Sequence, residues 1–226
     1  MKKTLVTLFC ISSFLFCELP SYFSEAQAKR WEEMEAAVDL IRDGCGMPID
    51  TKIKEIVIAL NLLGVETSQS CEGHLNWGFP FPWVEILPRS QIDELICQRD
   101  EVLEEMDEIE TEIFQLYSTD SLSDLEVLYD KLAKKSQDNF RLLALIEQRC
   151  FEQENRLWDF LEEFYGKRDS FKEGTLIVQE GRLFPLGGHW QNRYSEEQRE
   201  ENLQSYQKEI ELFKDFLLIK FSTLTQ

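Results

Sequence analysis

The sequence predicts an α+β fold, in which helices pack on a small, mainly antiparallel sheet that is interrupted by a long helical hairpin. Short β-type runs occur in two pairs, one at 65–70 and 83–87 and the other at 175–179 and 182–184. Between the pairs, residues 90–165 repeat apolar side chains at near-heptad spacing, which is typical of long packed helices. The fold class follows from these two patterns together.

Helical periodicity precedes and follows the predicted strands. Apolar residues at three- and four-residue spacing predict a first helix over about 29–42. Asp50 is a favourable N-cap for a second helix, which we expect to end at Gly64. Ser195 and Gln198 have the spacing of a capping box and predict the start of the last helix.

The predicted hairpin carries most of the negative charge. The chain has 43 acidic and 24 basic residues, for a net charge of −19, and residues 91–165 alone hold 21 acidic and 7 basic residues. Ser90 and Asp93 resemble a capping box at the start of the hairpin. The near-heptad spacing of its apolar residues predicts that its two helices pair as a coiled coil. Such an excess of acids disfavours nucleic acid as a partner, since its binding depends on clustered Lys and Arg.

The first 28 residues have the pattern of a secretory signal. Lys2 and Lys3 precede an uncharged apolar run over 4–17, and Ala26 and Ala28 supply small residues for cleavage. The sequence therefore predicts residues 1–28 as a signal peptide and residues 29–226 as one domain without a membrane span. We expect a secreted or periplasmic protein. In the cytoplasmic alternative, Ser24 would cap the first helix instead.

Cleavage of that signal would leave four cysteines. They are Cys45, Cys71, Cys97 and Cys150, and four cysteines allow three disulfide pairings that the sequence does not distinguish.

The chemistry-bearing residues are concentrated after the first predicted strand. Cys71, Glu72 and His74 surround a glycine there, and the other histidine, His189, also follows a glycine near a strand end. Cys and His are ligands that zinc prefers, and the two-residue separation of Cys71 and His74 suits a shared ion. The predicted metal ligands are therefore Cys71, His74 and His189, with a divalent metal such as zinc as the possible cofactor.

Other roles for the same turn stay open. A small polar pocket would use side chains from both strand ends, and the candidate ligand-binding residues are Ser70, Glu72, Trp83 and Arg193. As a catalytic pair, Cys71 and His74 would make the chain a hydrolase or transferase. In a last alternative, the turn has only a structural role and neither binds a ligand nor takes part in a reaction.

A further alternative is an interaction protein. The long acidic hairpin, rather than the turn, would then bind a protein partner.

The region 48–87 carries a resemblance to known families. Ile49-Asp50, Asn61 and residues 67–74 resemble an uncharacterised bacterial family marked by Ser-Cys-Glu-Gly-His and a following Pro-Trp-Val. More remotely, the region is similar to the core of the wybutosine-synthesis methyltransferases, which modify tRNA with S-adenosylmethionine. Glu72 stands where that family has serine and His74 where it has arginine, so the resemblance does not imply its activity.

Overall fold

The computed structural model describes residues 20–117, 122–166 and 172–224, except for the side chains of residues 190–192. Its helices are α1 (Glu25–Val38), α2 (Thr51–Leu62), α3 (Arg89–Leu116), α4 (Leu122–Tyr165) and α5 (Glu196–Thr223). Its strands are β1 (Thr67–Cys71), β2 (Trp83–Ile86), β3 (Leu176–Gln179) and β4 (Arg182–Pro185), and a 3-10 helix covers Gly188–Arg193. The α+β class is confirmed.

The four strands form one antiparallel sheet in the order β1-β2-β4-β3. Cys71, the last residue of β1, pairs with Trp83 at the start of β2. Because β4 also runs antiparallel to β2, β1 and β4 end on the same side of the sheet. The turn after β1 and the 3-10 helix after β4 therefore follow the same end of the sheet.

The hairpin of β3 and β4 has the predicted two-residue turn. Gln179 pairs with Arg182, and the intervening Glu180 and Gly181 have φ angles of 52° and 73°. Positive φ at both central positions is the type I′ arrangement, which matches the twist of the flanking strands.

One apolar core joins the sheet to the helices. Ile56 and Leu60 of α2 are fully buried, and the core extends to Phe213 and Phe221 of α5. The end of α4 also enters it, because Leu157, Leu161 and Phe164 pack in the same cluster. Helix α2 therefore packs in the core along most of its length, from Ile53 to Leu62.

The predicted helical hairpin is formed by α3 and α4, which pack on each other. Ile109, Ile113 and Leu125 form a small buried cluster near its distal end, separate from the main core. Lys135 pairs with Glu105, and Arg99 donates to Asn139 Oδ1 at 3.0 Å, so polar contacts also join the helices. That the pair supercoils stays a prediction.

Of the two capping boxes that the sequence predicts, one is present and one is not. The capping box of Ser195 with Gln198 is present, but the expected box at Ser90 is absent, and α3 begins at Arg89 without a side-chain cap. Ser90 instead bonds the Glu66 carboxylate through both its backbone N–H and its hydroxyl. Ser90 thus bonds Glu66, which is distant in the sequence, instead of the neighbouring Asp93 that the capping pattern predicted.

Helix α1 begins earlier than expected and ends earlier. Ser24 caps it in a capping box with Gln27, so the predicted cleavage segment at 26–28 lies within the first turns of the helix. Gln27 is buried and donates to the carbonyls of Phe221 and Ser222 at the end of α5. Most of the predicted signal peptide, residues 1–19, lies outside the described residues, and export stays a prediction.

Within the described parts of the chain, no helix combines the length and the apolar character needed to cross a bilayer.

Candidate functional site

The turn after β1 depends on a glycine. Gly73 has a φ of +84°, in the region that L side chains rarely adopt. A Cβ on this residue would also lie 2.7 Å from Phe81 C and 2.9 Å from Pro82 N, both of which are backbone atoms. Gly73 therefore lets the turn pack closely on the backbone of residues 81–82, while hydrogen bonds that join Glu72 to Asp50 and Lys52 hold the turn beside the start of α2.

Three potential metal ligands converge at this turn. Single ligand atoms of Asp50, Cys71 and His74 all lie within 4.8 Å of one another. Within this group, His74 Nε2 lies 3.3 Å from Asp50 Oδ2. Cys71 is buried, whereas the side chains of Asp50 and His74 are partly accessible, so the group lies at the edge of the protein interior.

Asp50 was predicted as an N-cap and was missed as a site residue. It is the N-cap residue of α2, but its carboxylate makes no capping hydrogen bond to that helix. Instead, Asp50 Oδ2 accepts the backbone N–H of Glu72 at 3.1 Å, in addition to its contact with His74. Its place within the resemblance, beside the Cys-Glu-Gly-His motif, was the one signal that could have found it.

Glu72 supplies the cap that Asp50 does not. Its carboxylate accepts the backbone N–H of Lys52, in the first turn of α2, at 3.0 Å. The first N–H groups of a helix have no partner within the helix, so this bond satisfies one of them. The Asp50 carboxylate thus bonds the backbone of the turn, and the Glu72 carboxylate bonds the backbone of α2. Together, these two bonds join the turn to α2.

The ring and backbone of His74 are both held within the turn. Its ring stacks on that of Trp77, with the ring centres 3.7 Å apart, and its backbone N–H donates to Phe79 O at 2.9 Å. These contacts restrict the ring before any ligand binds, which reduces the entropy lost on binding.

Burial of the Cys71 thiol raises its pKa above the ordinary value of 9.0. The negative charges of Asp50 and Glu72 add to this rise, and the backbone N–H of Gly73, 3.4 Å from Sγ, opposes it. The thiol is therefore protonated at neutral pH unless a cation takes the place of the proton.

His189 is not part of this group of ligand atoms. Its side chain is exposed, and its ring packs edge-on against Phe81 and Phe184 at centre distances of 4.9 and 4.7 Å. Arg193 is exposed at the end of the 3-10 helix. The structure thus places His189 on the predicted side of the sheet, but with aromatic neighbours rather than with Cys71 and His74.

The other two predicted ligand-binding residues lie on the strands. Ser70 is half-buried in β1 and pairs with Val84. Trp83 pairs with Cys71, and its Nε1 is buried without a hydrogen-bond partner among the described residues. A buried donor without a partner costs about 1–3 kcal/mol, so an acceptor at this position would stabilise the protein.

A groove of about 550 Å³ adjoins the turn. It lies between α2 and α5, and Glu72 and Pro82 contribute to its wall beside Lys52 and Gln207. Gln207 Nε2 donates to the carbonyl of Glu72 at 3.0 Å, which attaches α5 to the turn. Glu72 therefore connects the two features: it lines the groove, and its backbone N–H bonds the ligand residue Asp50.

All four cysteines of the described residues are free thiols. Cys45 and Cys97 are exposed, Cys150 is half-buried and Cys71 is buried. None of the three disulfide pairings is present in this part of the chain.

Comparison with family models, with curated proteins and with solved structures finds no match to this chain. The resemblance of residues 48–87 to two families therefore stays a prediction.

Proposed function

We propose that the protein binds a divalent transition metal, such as zinc, through Asp50, Cys71 and His74. The observation that carries this proposal is the convergence of a carboxylate, a thiol and an imidazole within 4.8 Å. Zinc accepts all three ligand types at about 2.0–2.3 Å, so the three atoms need to move only slightly to surround an ion.

The choice of ligands favours zinc over magnesium or calcium. Those two hard cations prefer sites made of oxygen alone, whereas a thiolate and an imidazole favour zinc. The hydrogen bond from the Glu72 N–H fixes the orientation of the Asp50 carboxylate, as outer partners of metal ligands commonly do.

Three protein ligands would leave a fourth position on a tetrahedral ion. An open position of this kind distinguishes zinc sites that bind a further molecule from closed structural sites. The adjoining groove of about 550 Å³ has room for a small polar ligand, and its wall includes Lys52 and Gln207. The proposal therefore covers a metal together with a small ligand.

Catalysis by Cys71 as a nucleophile has less support. A nucleophilic cysteine needs a lowered pKa, usually from a neighbouring cation. Cys71 has carboxylates as neighbours, and both its burial and their charge raise the pKa of its thiol. In addition, Nε2 of His74 contacts the Asp50 carboxylate, so His74 is not dedicated to taking a proton from Cys71.

Cobalt titration of metal-free protein tests the proposal. Co²⁺ bound to a thiolate gives a charge-transfer absorption in the near ultraviolet, which we expect in the wild-type protein and not in Cys71→Ser. Asp50→Asn and His74→Ala each remove one ligand, and we expect them to weaken binding by at least about 100-fold, the upper range for loss of an outer partner.

His189→Ala is the matched control, because it removes the other of the two histidines. Its cobalt affinity should equal that of the wild type if Asp50, Cys71 and His74 are the ligands. Wild-type protein that shows no thiolate absorption with excess Co²⁺, or a Cys71→Ser variant that retains it, would contradict the proposal. Weakened binding in His189→Ala alone would instead assign that histidine to the site.

A further inference from the structure

Helix α4 carries a line of exposed apolar side chains along one face. Of its six exposed large apolar residues, five fall on this line. At 3.6 residues per turn, they lie within about 40° of one another around the helix axis. They are Leu122, Tyr129, Phe140, Phe151 and Trp158, and we call them the exposed stripe.

The exposed stripe is distinct from the face of α4 that packs in the protein. Leu125, Leu157 and Leu161 are buried on a neighbouring face, towards α3 and the main core. By contrast, Leu122 is 81% and Phe140 66% exposed. Within the described residues, therefore, α4 has two apolar faces and only one of them is covered.

The spacing of the exposed stripe is symmetric about its middle residue. Successive members are 7, 11, 11 and 7 residues apart, so the pattern reads the same from either end of the helix. If two copies of α4 pack antiparallel with Phe140 on a two-fold axis, Phe140 meets its own equivalent. Leu122 then lies opposite Trp158 of the second copy, and Tyr129 lies opposite Phe151.

From this symmetry we infer that the exposed stripe is an antiparallel interface between two copies of the chain. A two-fold axis makes each contact occur twice, and the palindromic spacing supplies both halves of each contact from a single helix. A different protein as partner would give no reason for the stripe to be symmetric about its own centre.

The residues beside the stripe are compatible with self-association despite the charge of −19. On the side away from the buried face, the stripe is bordered by Glu126, Asp130, Ala133, Gln137, Ala144, Gln148 and Asn155. The symmetry places the two acidic residues beside uncharged ones of the second copy, Glu126 near Asn155 and Asp130 near Gln148. Glu147 lies on the line itself, but the symmetry places it opposite the small Ala133 of the second copy. Like charges are therefore not forced into contact along the centre of the interface.

The exposed area is sufficient for a stable pair. The stripe extends over about 54 Å at 1.5 Å per residue. Its four aromatic members expose together about 400 Å² per copy if each side chain has about 200 Å² in total. With Leu122 and the bordering residues, both copies together bury an area on the order of the 1,200 Å² at which stable interfaces begin.

Sedimentation equilibrium of the full chain tests the inference. We expect a mass of twice 26.7 kDa for the wild type. Phe140→Glu places two carboxylates on the axis and should raise the dimer dissociation constant at least about 100-fold, the effect of losing a central interface residue. Val127→Glu is the matched control, because Val127 is equally exposed, at 66%, but lies about 140° around the helix from Phe140.

Cross-linking with a short bis-maleimide tests the orientation. In a full-length background with every cysteine except the buried Cys71 changed to Ser, Phe140→Cys should cross-link to itself. Leu122→Cys and Trp158→Cys should cross-link only when the two variants are mixed, because the antiparallel arrangement separates identical ends by about 54 Å.

Three results would overturn the inference. They are a monomeric wild type at high micromolar concentration, an equal effect of Val127→Glu and Phe140→Glu on association, and self-cross-linking of Leu122→Cys, which indicates parallel helices. A monomeric chain that binds a basic amphipathic peptide along the stripe would point to a protein partner instead.

Discussion

At the scale of single residues, the environment of Cys71 determines its chemistry. Burial of the thiol raises its pKa, and the negative charges of Asp50 and Glu72 raise it further. Folded protein therefore holds this proton more tightly than unfolded protein does. As a result, the free energy of unfolding falls as the pH rises from the pKa of the unfolded thiol towards that of the folded one.

The reactivity of Cys71 towards iodoacetamide should show this raised pKa. In metal-free protein, we expect a midpoint of alkylation above pH 9.0, the ordinary value for this group. Asp50→Asn removes one of the negative charges, so its midpoint should lie lower than that of the wild type. Alkylation at single cysteines can be followed by peptide mass spectrometry, and a wild-type midpoint below pH 9.0 would contradict the expectation.

Excess Zn²⁺ provides a second measurement on the same residue. A bound metal replaces the thiol proton, so zinc affinity should rise with pH over the range in which the free thiol is protonated. Exposed Cys45 is the control within the chain, because zinc at the proposed site should protect Cys71 and leave Cys45 reactive.

At the scale of elements, α1 is attached to α5 by a buried amide. Gln27 Nε2 donates to the carbonyls of Phe221 and Ser222 at 3.1 and 2.9 Å, and these belong to the last turn of α5. The last carbonyls of a helix have no partner within it, so Gln27 serves as a C-terminal cap supplied by another helix.

Gln27→Ala should therefore lower the free energy of unfolding by about 3 kcal/mol. The change removes the two hydrogen bonds to α5 and a third, in which Gln27 Oε1 accepts the backbone N–H of Ser24, and each is worth about 0.5–1.5 kcal/mol. Urea denaturation measures the loss, and Glu32→Ala on the exposed face of α1 is the control. A loss below about 0.5 kcal/mol, the range of ordinary surface substitutions, would contradict a capping role for Gln27.

At the scale of the whole molecule, the hairpin divides within α4. Its distal end has its own small cluster around Ile109, Ile113 and Leu125, whereas Leu157 and Leu161 belong to the main core. The boundary between hairpin and domain therefore lies inside a continuous helix, and the sequence-predicted end of the hairpin at residue 165 lies within the core.

Shortening the hairpin should leave the domain folded. Replacing residues 103–135 by a short Gly/Ser turn removes the distal cluster but keeps every α4 residue of the main core. We expect one cooperative unfolding transition, with less helix by circular dichroism. Leu161→Ala in the full chain is the contrast and should cost about 2–5 kcal/mol, because it opens a cavity in the main core. A shortened chain without cooperative unfolding would show that the distal hairpin supports the domain.

The sequence by itself determined the features that depend on local patterns. The spacing of apolar residues predicted the helices, and the two pairs of β-type runs predicted the sheet. Glu180-Gly181 predicted the two-residue turn, because such a turn depends only on the local φ preferences of its two residues. The Ser195 capping box is of the same kind, because all of its atoms lie within one helical turn.

Only the tertiary structure decided which distant groups meet. Asp50 and Ser90 both have local capping patterns, yet their side chains bond Glu72 N–H and Glu66, which are 22 and 24 residues away in the chain. Likewise, His74 lies beside Asp50, while the aromatic rings of Phe81 and Phe184 pack around His189. A polar side chain bonds whichever partner the packed core brings within about 3 Å, and that choice depends on the packing of whole elements rather than on neighbouring residues.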